Sequence, residues 1–262
     1  MHTSANARFR EEYAAHRAAE GRAYSGEQLR SLPYLDSGPL ARQWAVRARS
    51  YEVFMHAVLT PLALRAGRPL SIVDLGAGNG WLSRHMAHAG HKPIAIDIRT
   101  DDVDGLGAAR FEESFPLVAA SFDELPLQSE SIDLAVFNAS LHYAQDLSRT
   151  IAEAVRILRP HGTIAIIDSP FYRLESEGQA MVAEKLASGD TQFGSRVHTL
   201  LEIPFIEFLT RERLARASAT LGLQWQRHRV RYPLWYELRP FTALLHKRRA
   251  PSRFDVWQAM LP

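Results

Sequence analysis

Asp74, Asp97 and Asp123 each stand at or just past the end of a short apolar run, and three glycines (Gly76, Gly78, Gly80) follow the first of them at alternate positions. A carboxylate at the end of a buried strand can accept hydrogen bonds from the hydroxyls or amines of a ligand. Glycine allows both unusual dihedrals and close approach of the backbone to that ligand. Asp97 lies seventeen residues past Gly80, where a strand-end acid can take two hydrogen bonds from ribose hydroxyls. The pattern differs from a dinucleotide fingerprint: counted from Gly76 the third glycine position holds Trp81, and counted from Gly78 it holds Ser83. His142 follows a further apolar run and is a candidate general base, with Tyr143 beside it; His198 is a second candidate without a spacing argument. The chain has no cysteine, which excludes disulfides, thiolate metal sites and a cysteine nucleophile. The acidic stretch Asp101 to Asp104 reads as charge at a helix start, so no metal is expected.

These residues need strands and helices to hold them. Ile72 to Leu75, Pro93 to Ile98, Leu117 to Phe122, Ser131 to Asn138 and Thr163 to Asp168 read as five buried strands. Leu82, Met86 and Ala89, and then Leu147, Ile151, Val155 and Leu158, recur at helical spacing between them, with Thr150 and Glu153 as a possible capping box for the second helix. Strand alternating with helix predicts a doubly wound α/β sheet. Before it, Trp44, Tyr51, Met55, Val58 and Leu62 mark a helix, preceded by the turn-rich Pro33 to Pro39 and by a polar arm over residues 1–31, in which Phe9, Tyr13 and His16 or Arg17 give one weak helical stripe. Beyond it, Phe208 to Leu221 reads as a helix starting near Thr210 and stopping at Gly222, and Trp225 to Tyr232 and Thr242 to Lys247 as strands six and seven.

Composition narrows the class. The 262 residues are 46% hydrophobic, enough for one substantial core. No run reaches the ~18 apolar residues a membrane span requires, and Met1 to Glu20 lacks a signal-like apolar core. A cytoplasmic protein without a membrane partner is expected. Net charge is +2, unevenly spread: residues 69–170 carry 7 Lys/Arg against 14 Asp/Glu, while residues 1–68 carry 10 against 6 and residues 171–262 carry 14 against 9. Basic flanks of this kind read as solvated helix faces or as an approach surface for an anion.

The segment Asp74-x-Gly76-x-Gly78-x-Gly80 resembles motif I of the class I S-adenosylmethionine (SAM) dependent methyltransferases. The order of later landmarks extends the resemblance from about residue 70 to 170. It implies a Rossmann-like, seven-stranded, mostly parallel sheet, with residues 1–68 as a helical cap, 69–262 as the SAM-binding domain and 171–204 as a lid inserted after strand five. It implies SAM as cofactor and S-adenosylhomocysteine as product. The implied cofactor residues are Asp74, Gly76, Ala77, Gly78, Asp97 (ribose), Ile98, Phe122 (adenine face), Asp123 (adenine amine) and Asn138, with Arg47 as a donor to the SAM carboxylate. Tyr34, Trp44, Tyr143, Phe171 and Tyr172 are candidates for the acceptor pocket. One departure is His161, where the family usually has a second glycine; a positive φ there would cost a histidine more.

The expected activity is methyl transfer to a small molecule at oxygen, nitrogen or carbon. A SAM-binding protein without catalysis and an RNA methyltransferase stay open as alternatives. Arg227, Arg229 and Arg231 alternate beside Trp225 and Tyr232, as on one face of a strand. An Asn-Pro-Pro-Tyr-type base-methylation motif is replaced by Asn138-Ala139-Ser140-Leu141, which disfavours a nucleic-acid partner.

Overall fold

The computed structural model describes residues 2–22, 24–110, 115–189 and 203–262, with side chains from Glu11 on. Seven strands form one sheet in the order β3-β2-β1-β4-β5-β7-β6: β1 (Ser71–Leu75), β2 (Lys92–Asp97), β3 (Leu117–Ala119), β4 (Ile132–Asn138), β5 (Leu158–Ile167), β6 (Trp225–His228) and β7 (Val256–Met260). Strands β1 to β5 pair in parallel, whereas β7 runs antiparallel to both β5 and β6. Strand order reverses between β1 and β4, and at such a switch point the loops after the two strands diverge and leave a crevice at their C-terminal ends.

Alternation within the strands builds a core on each face. Ile72, Leu134, Val136, Ala165 and Ile167 face one side, against α3 (Ala41–Phe54), α4 (Thr60–Ala66) and α5 (Trp81–His88). Val73, Leu75, Phe137, Ile164 and Ile166 face the other, against α6 (Leu147–Ile157) and α8 (Arg211–Ala217). Strand β4 is buried at every position. Each large apolar side chain there contributes roughly 1.5–3 kcal/mol, which fixes β4 at the centre of the sheet.

Further helices precede and follow this sheet: α1 (His2–Ala19), α2 (Gly26–Ser31) and α7 (Glu175–Ala187). A π-helical turn, Met55–Leu59, joins α3 to α4 without leaving helical dihedrals, and Pro61 follows it at the start of α4. The segment after β5 contains α7; residues 190–202, with His198, lie outside the described residues. No helix among the described residues is long and apolar enough to cross a membrane.

Three local expectations are corrected. Thr242 to Lys247 is not strand seven: Arg239–Leu245 is a helix with Pro240 in its first turn, and the seventh strand is Val256–Met260. Asp146 rather than Thr150 caps α6, accepting from the Arg149 N–H, while Thr150 donates to Asp123 and Glu153 accepts from the Leu125 N–H. Strand β6 ends at His228, so Arg229 and Arg231 do not share its face, and Arg227 is paired with Asp255. His161 does adopt a positive φ, 62°.

Candidate active site

The loop after β1 folds across the end of β2. The N–H groups of Gly76 and Ala77 both donate to the Ile96 carbonyl (2.8 and 3.0 Å), and the Gly78 N–H donates to Asp97 Oδ2 (2.8 Å). The other Asp97 oxygen accepts the Arg99 N–H at 2.8 Å. Gly76 has φ +75°, and a Cβ placed on it would lie 2.4 Å from the Ser140 Cβ. Glycine is therefore what allows the β1 and β4 loops to touch.

All of the residues expected around the cofactor except Asp74 line one cavity of about 450 Å³ at this crevice. Asp97, Ile98, Phe122 and Asp123 lie on its β2–β3 side; Asn138, His142, Tyr143 and Asp168 lie on its β4–β5 side. Phe122 packs edge-on against Phe137, with centroids 5.9 Å apart. Burial pushes the Asp97 carboxyl up against the hydrogen bonds it accepts.

Asp74 lies behind the loop, fully buried, with Oδ2 accepting from the Ser83 hydroxyl at 2.8 Å and Oδ1 without a partner among the described residues. Burial, assisted by the charge of Asp97, raises its carboxyl to about 7. The unfolded chain ionises near pH 4, so between about pH 4 and 7 the folded state binds more protons. Stability from this group is therefore full below pH 4 and lost as pH rises through 7. Asp74→Asn should flatten that slope: its stability relative to the parent is expected to improve by a few kcal/mol from pH 4.5 to 7.5 in urea titrations. A difference that stays constant with pH would mean that Asp74 is ionised in the fold throughout.

His142 stands on the short 3₁₀ turn Leu141–Tyr143, its Nδ1 3.5 Å from the Ser169 hydroxyl and its ring against Tyr143 at 4.3 Å. Burial, then the charges of Lys185, Arg17 and Arg47, push its imidazole down to about 3. It is a neutral ring at any pH near 7.

The spacing of α3 decides which of its residues reach the cavity. Gln43, Val46 and Arg47 share a face that lines it. Arg47 donates to Asp168 Oδ2 at 3.2 Å and lies over the Trp44 ring at 4.6 Å. Trp44 itself points into the core, donating to the Tyr24 hydroxyl at 2.8 Å and packing edge-on to Trp81. The other acceptor candidates divide. Tyr143 lines the cavity, but Tyr34, Phe171 and Tyr172 do not. Tyr34 is more than half exposed and packs edge-on against Tyr51. Phe171 stacks on Trp257 at 4.7 Å, and the Tyr172 hydroxyl accepts from Arg249 at 2.9 Å. The chain leaves the cavity at Pro170 and bridges to Leu209 and Arg253 at the next residue.

Helix α1 supplies a wall that its weak sequence pattern did not announce. The Tyr13 and Tyr143 hydroxyls share a hydrogen bond of 2.8 Å, and Arg17 donates to Asp104 at 2.9 Å. Arg99 lies over the Tyr13 ring at 4.9 Å. Ile203 and Phe205 add a second wall, with Phe205 edge-on to Tyr143. Tyr13 and Arg17 are one helical turn apart, and that spacing was the only available signal. Among the described residues, three buried polar atoms of the lining lack a partner: Asn138 Oδ1, Asp168 Oδ1 and Arg22 Nη1.

Comparison with known proteins is consistent with this arrangement. Residues 73–166 match the family of methyltransferase domains. A malonyl-[acyl-carrier protein] O-methyltransferase of Pseudescherichia vulneris is 28% identical over 158 residues, 60% of this chain and 56% of that protein. A dimethylglycine N-methyltransferase of Parasynechococcus marenigrum is 32% identical over 102 residues, 37% of this chain and 36% of that protein. The chain spans about half the length of the curated relatives it matches, or less. Among solved structures, the Burkholderia thailandensis 1,6-didemethyltoxoflavin-N1-methyltransferase, with S-adenosylhomocysteine bound, aligns with a TM-score of 0.50 at 18% identity, over 86% of this chain and 91% of that one. That likeness establishes the fold.

Proposed function

We propose that this chain, a class I SAM-dependent methyltransferase by family, transfers a methyl group to a small molecule enclosed in the cavity at the β1–β4 crevice. The observation that carries the reading is the walled space itself. About 450 Å³ is within the range of small-ligand sites, and α1, α3 and Ile203 to Phe205 close over the motif residues.

The residues present fit the cofactor. Each Asp97 oxygen keeps a second lone pair for a ribose hydroxyl, Phe122 offers a ring to adenine, and Asp123 an acceptor for its amine. Asn138 and Asp168 present unpartnered acceptors and Arg22 an unpartnered donor, the two signs that an ammonium and a carboxylate require. Arg47 is a second donor for that carboxylate. On the same reading residues 1–68 act as a cap on the domain 69–262, and 171–204 as its lid.

SAM, when bound, supplies a methyl group already activated by its sulfonium charge. The work left to the chain is positioning and exclusion of water. The Tyr13–Tyr143 and Arg17–Asp104 contacts hold the cover in place. Burial keeps His142 neutral, and it lines the cavity as a hydrogen-bonding group for the acceptor. The relatives' names include an oxygen acceptor borne on an acyl-carrier protein and a small nitrogen acceptor.

The test is calorimetry with SAM and S-adenosylhomocysteine, followed by transfer of radiolabelled methyl from SAM into a metabolite extract. Binding of both and label in a small product are expected. Binding of a nicotinamide dinucleotide with no response to either SAM species would defeat the proposal.

A further inference from the structure

Residues 234–245 form two short consecutive helices, Leu234–Glu237 and Arg239–Leu245. Leu234, Leu238, Phe241 and Leu245 follow one another at intervals of four, three and four residues, which lines them up along one helical face. Leu234, Phe241, Leu244 and Leu245 are each at least 70% exposed. The opposite side is anchored: Tyr236 is buried, and Glu237 is bound by Arg253 at 2.8 Å. The apolar stripe is thus held outward on a fixed base.

Its surroundings are strongly cationic. Residues 229–253 contain seven Lys/Arg and one acid, Glu237; Arg253 is held by Glu237 and Asp255 and Arg249 by Glu184, which leaves five cations, Arg229, Arg231, Arg239, Lys247 and Arg248. Arg231, Lys247 and Arg248 are exposed. A second copy of this chain on the same face would bring like charges together, and the stripe offers almost no hydrogen-bonding side chains to another protein. Aliphatic and aromatic side chains projecting among Lys/Arg suit the interface of an anionic lipid bilayer.

We propose that the 234–245 helices dock this protein on an anionic membrane surface through Leu234, Phe241, Leu244 and Leu245, with Lys247 and Arg248 on the lipid headgroups. The patch is next to the cavity. Trp235 lies under Arg42, the neighbour of the cavity residue Gln43, and Tyr236 packs on Phe254, which also lines the cavity. Read as a strand, Thr242 to Lys247 shows no such stripe; it is visible only at helical spacing.

Cosedimentation of the full chain with vesicles tests this. Binding to phosphatidylglycerol–phosphatidylcholine vesicles is expected, weakened by salt and much lower on phosphatidylcholine alone. The double variant Phe241→Asp/Leu245→Asp should lose about tenfold or more, and Lys247→Ala/Arg248→Ala roughly tenfold. Both should keep the parent's response to SAM in calorimetry, so failure here is distinct from failure of the cofactor reading. The proposal is overturned if the parent does not sediment with anionic vesicles. It is equally overturned if the aspartate variant sediments like the parent, or if the chain self-associates through this face without binding lipid.

Discussion

Gly76→Ala is expected to abolish measurable SAM binding, a loss of at least about a hundredfold, and to lower the melting temperature. The methyl would enter space held by the Ser140 Cβ, 2.4 Å away, with the Ser140 backbone behind it at 3.7 Å. A side chain at φ +75° adds about 1–2 kcal/mol of strain and overpacking about 1–3 kcal/mol. The sum corresponds to a fall of roughly 5–15 °C. Gly90→Ala is the control: φ is +85°, but nothing lies within 4 Å of the added Cβ. That variant should lose only the strain energy and keep its SAM affinity. Equal effects of the two substitutions on binding would disprove the close-approach argument.

Asp97→Ala is expected to weaken SAM binding by about 1.5–3 kcal/mol, or roughly 10- to 150-fold, if the carboxylate holds the ribose through charge-assisted hydrogen bonds. The same carboxylate also accepts the N–H groups of Gly78 and Arg99, so alanine strands two donors and loosens the loop. Asp97→Asn separates the two roles. An amide can still accept one backbone N–H, so it should recover stability in urea titrations more fully than it recovers affinity in calorimetry. An alanine variant that binds SAM like the parent would remove Asp97 from the cofactor site.

The central half of the fold was legible because its signals are local. Short apolar runs closed by glycine or a carboxylate mark β1, β2 and β4, and the glycine spacing identifies the loop that must fold back. The outer elements carry conflicting signals. Thr242 to Lys247 contains Leu244 and Leu245, which a strand and a helix accept equally; Pro240 at the start and the burial of Val256, Trp257 and Ala259 on both faces of the sheet decide the matter. The far wall of the cavity was harder still. Tyr13 and Arg17 sit on a helix with little amphipathic pattern, and their roles arise from partners more than 80 residues away, Tyr143 and Asp104. Aromatic character alone does not separate a pocket wall from a core, and Tyr34, Trp44, Phe171 and Tyr172 lie outside the cavity lining. The same ring that could stack on a ligand also fills a core, and burial against Trp81, Trp257 and Phe208 claimed three of the four.

The antiparallel strand β7 has a consequence for the order in which this chain can assemble. Strands β2 to β5 find a sheet neighbour as soon as they are synthesised, since each pairs with a strand already made. Strand β6 does not. Its sheet partner is β7, twenty-eight residues further on from His228 to Val256, and β7 also closes the free edge of β5. During synthesis the helices 234–245 therefore emerge while β5 still presents an unpaired apolar edge, with Ile164 and Ile166 on it. Such an edge invites pairing with another chain, and late, non-local pairing lengthens the interval. The last strand to be made is the one that seals the sheet.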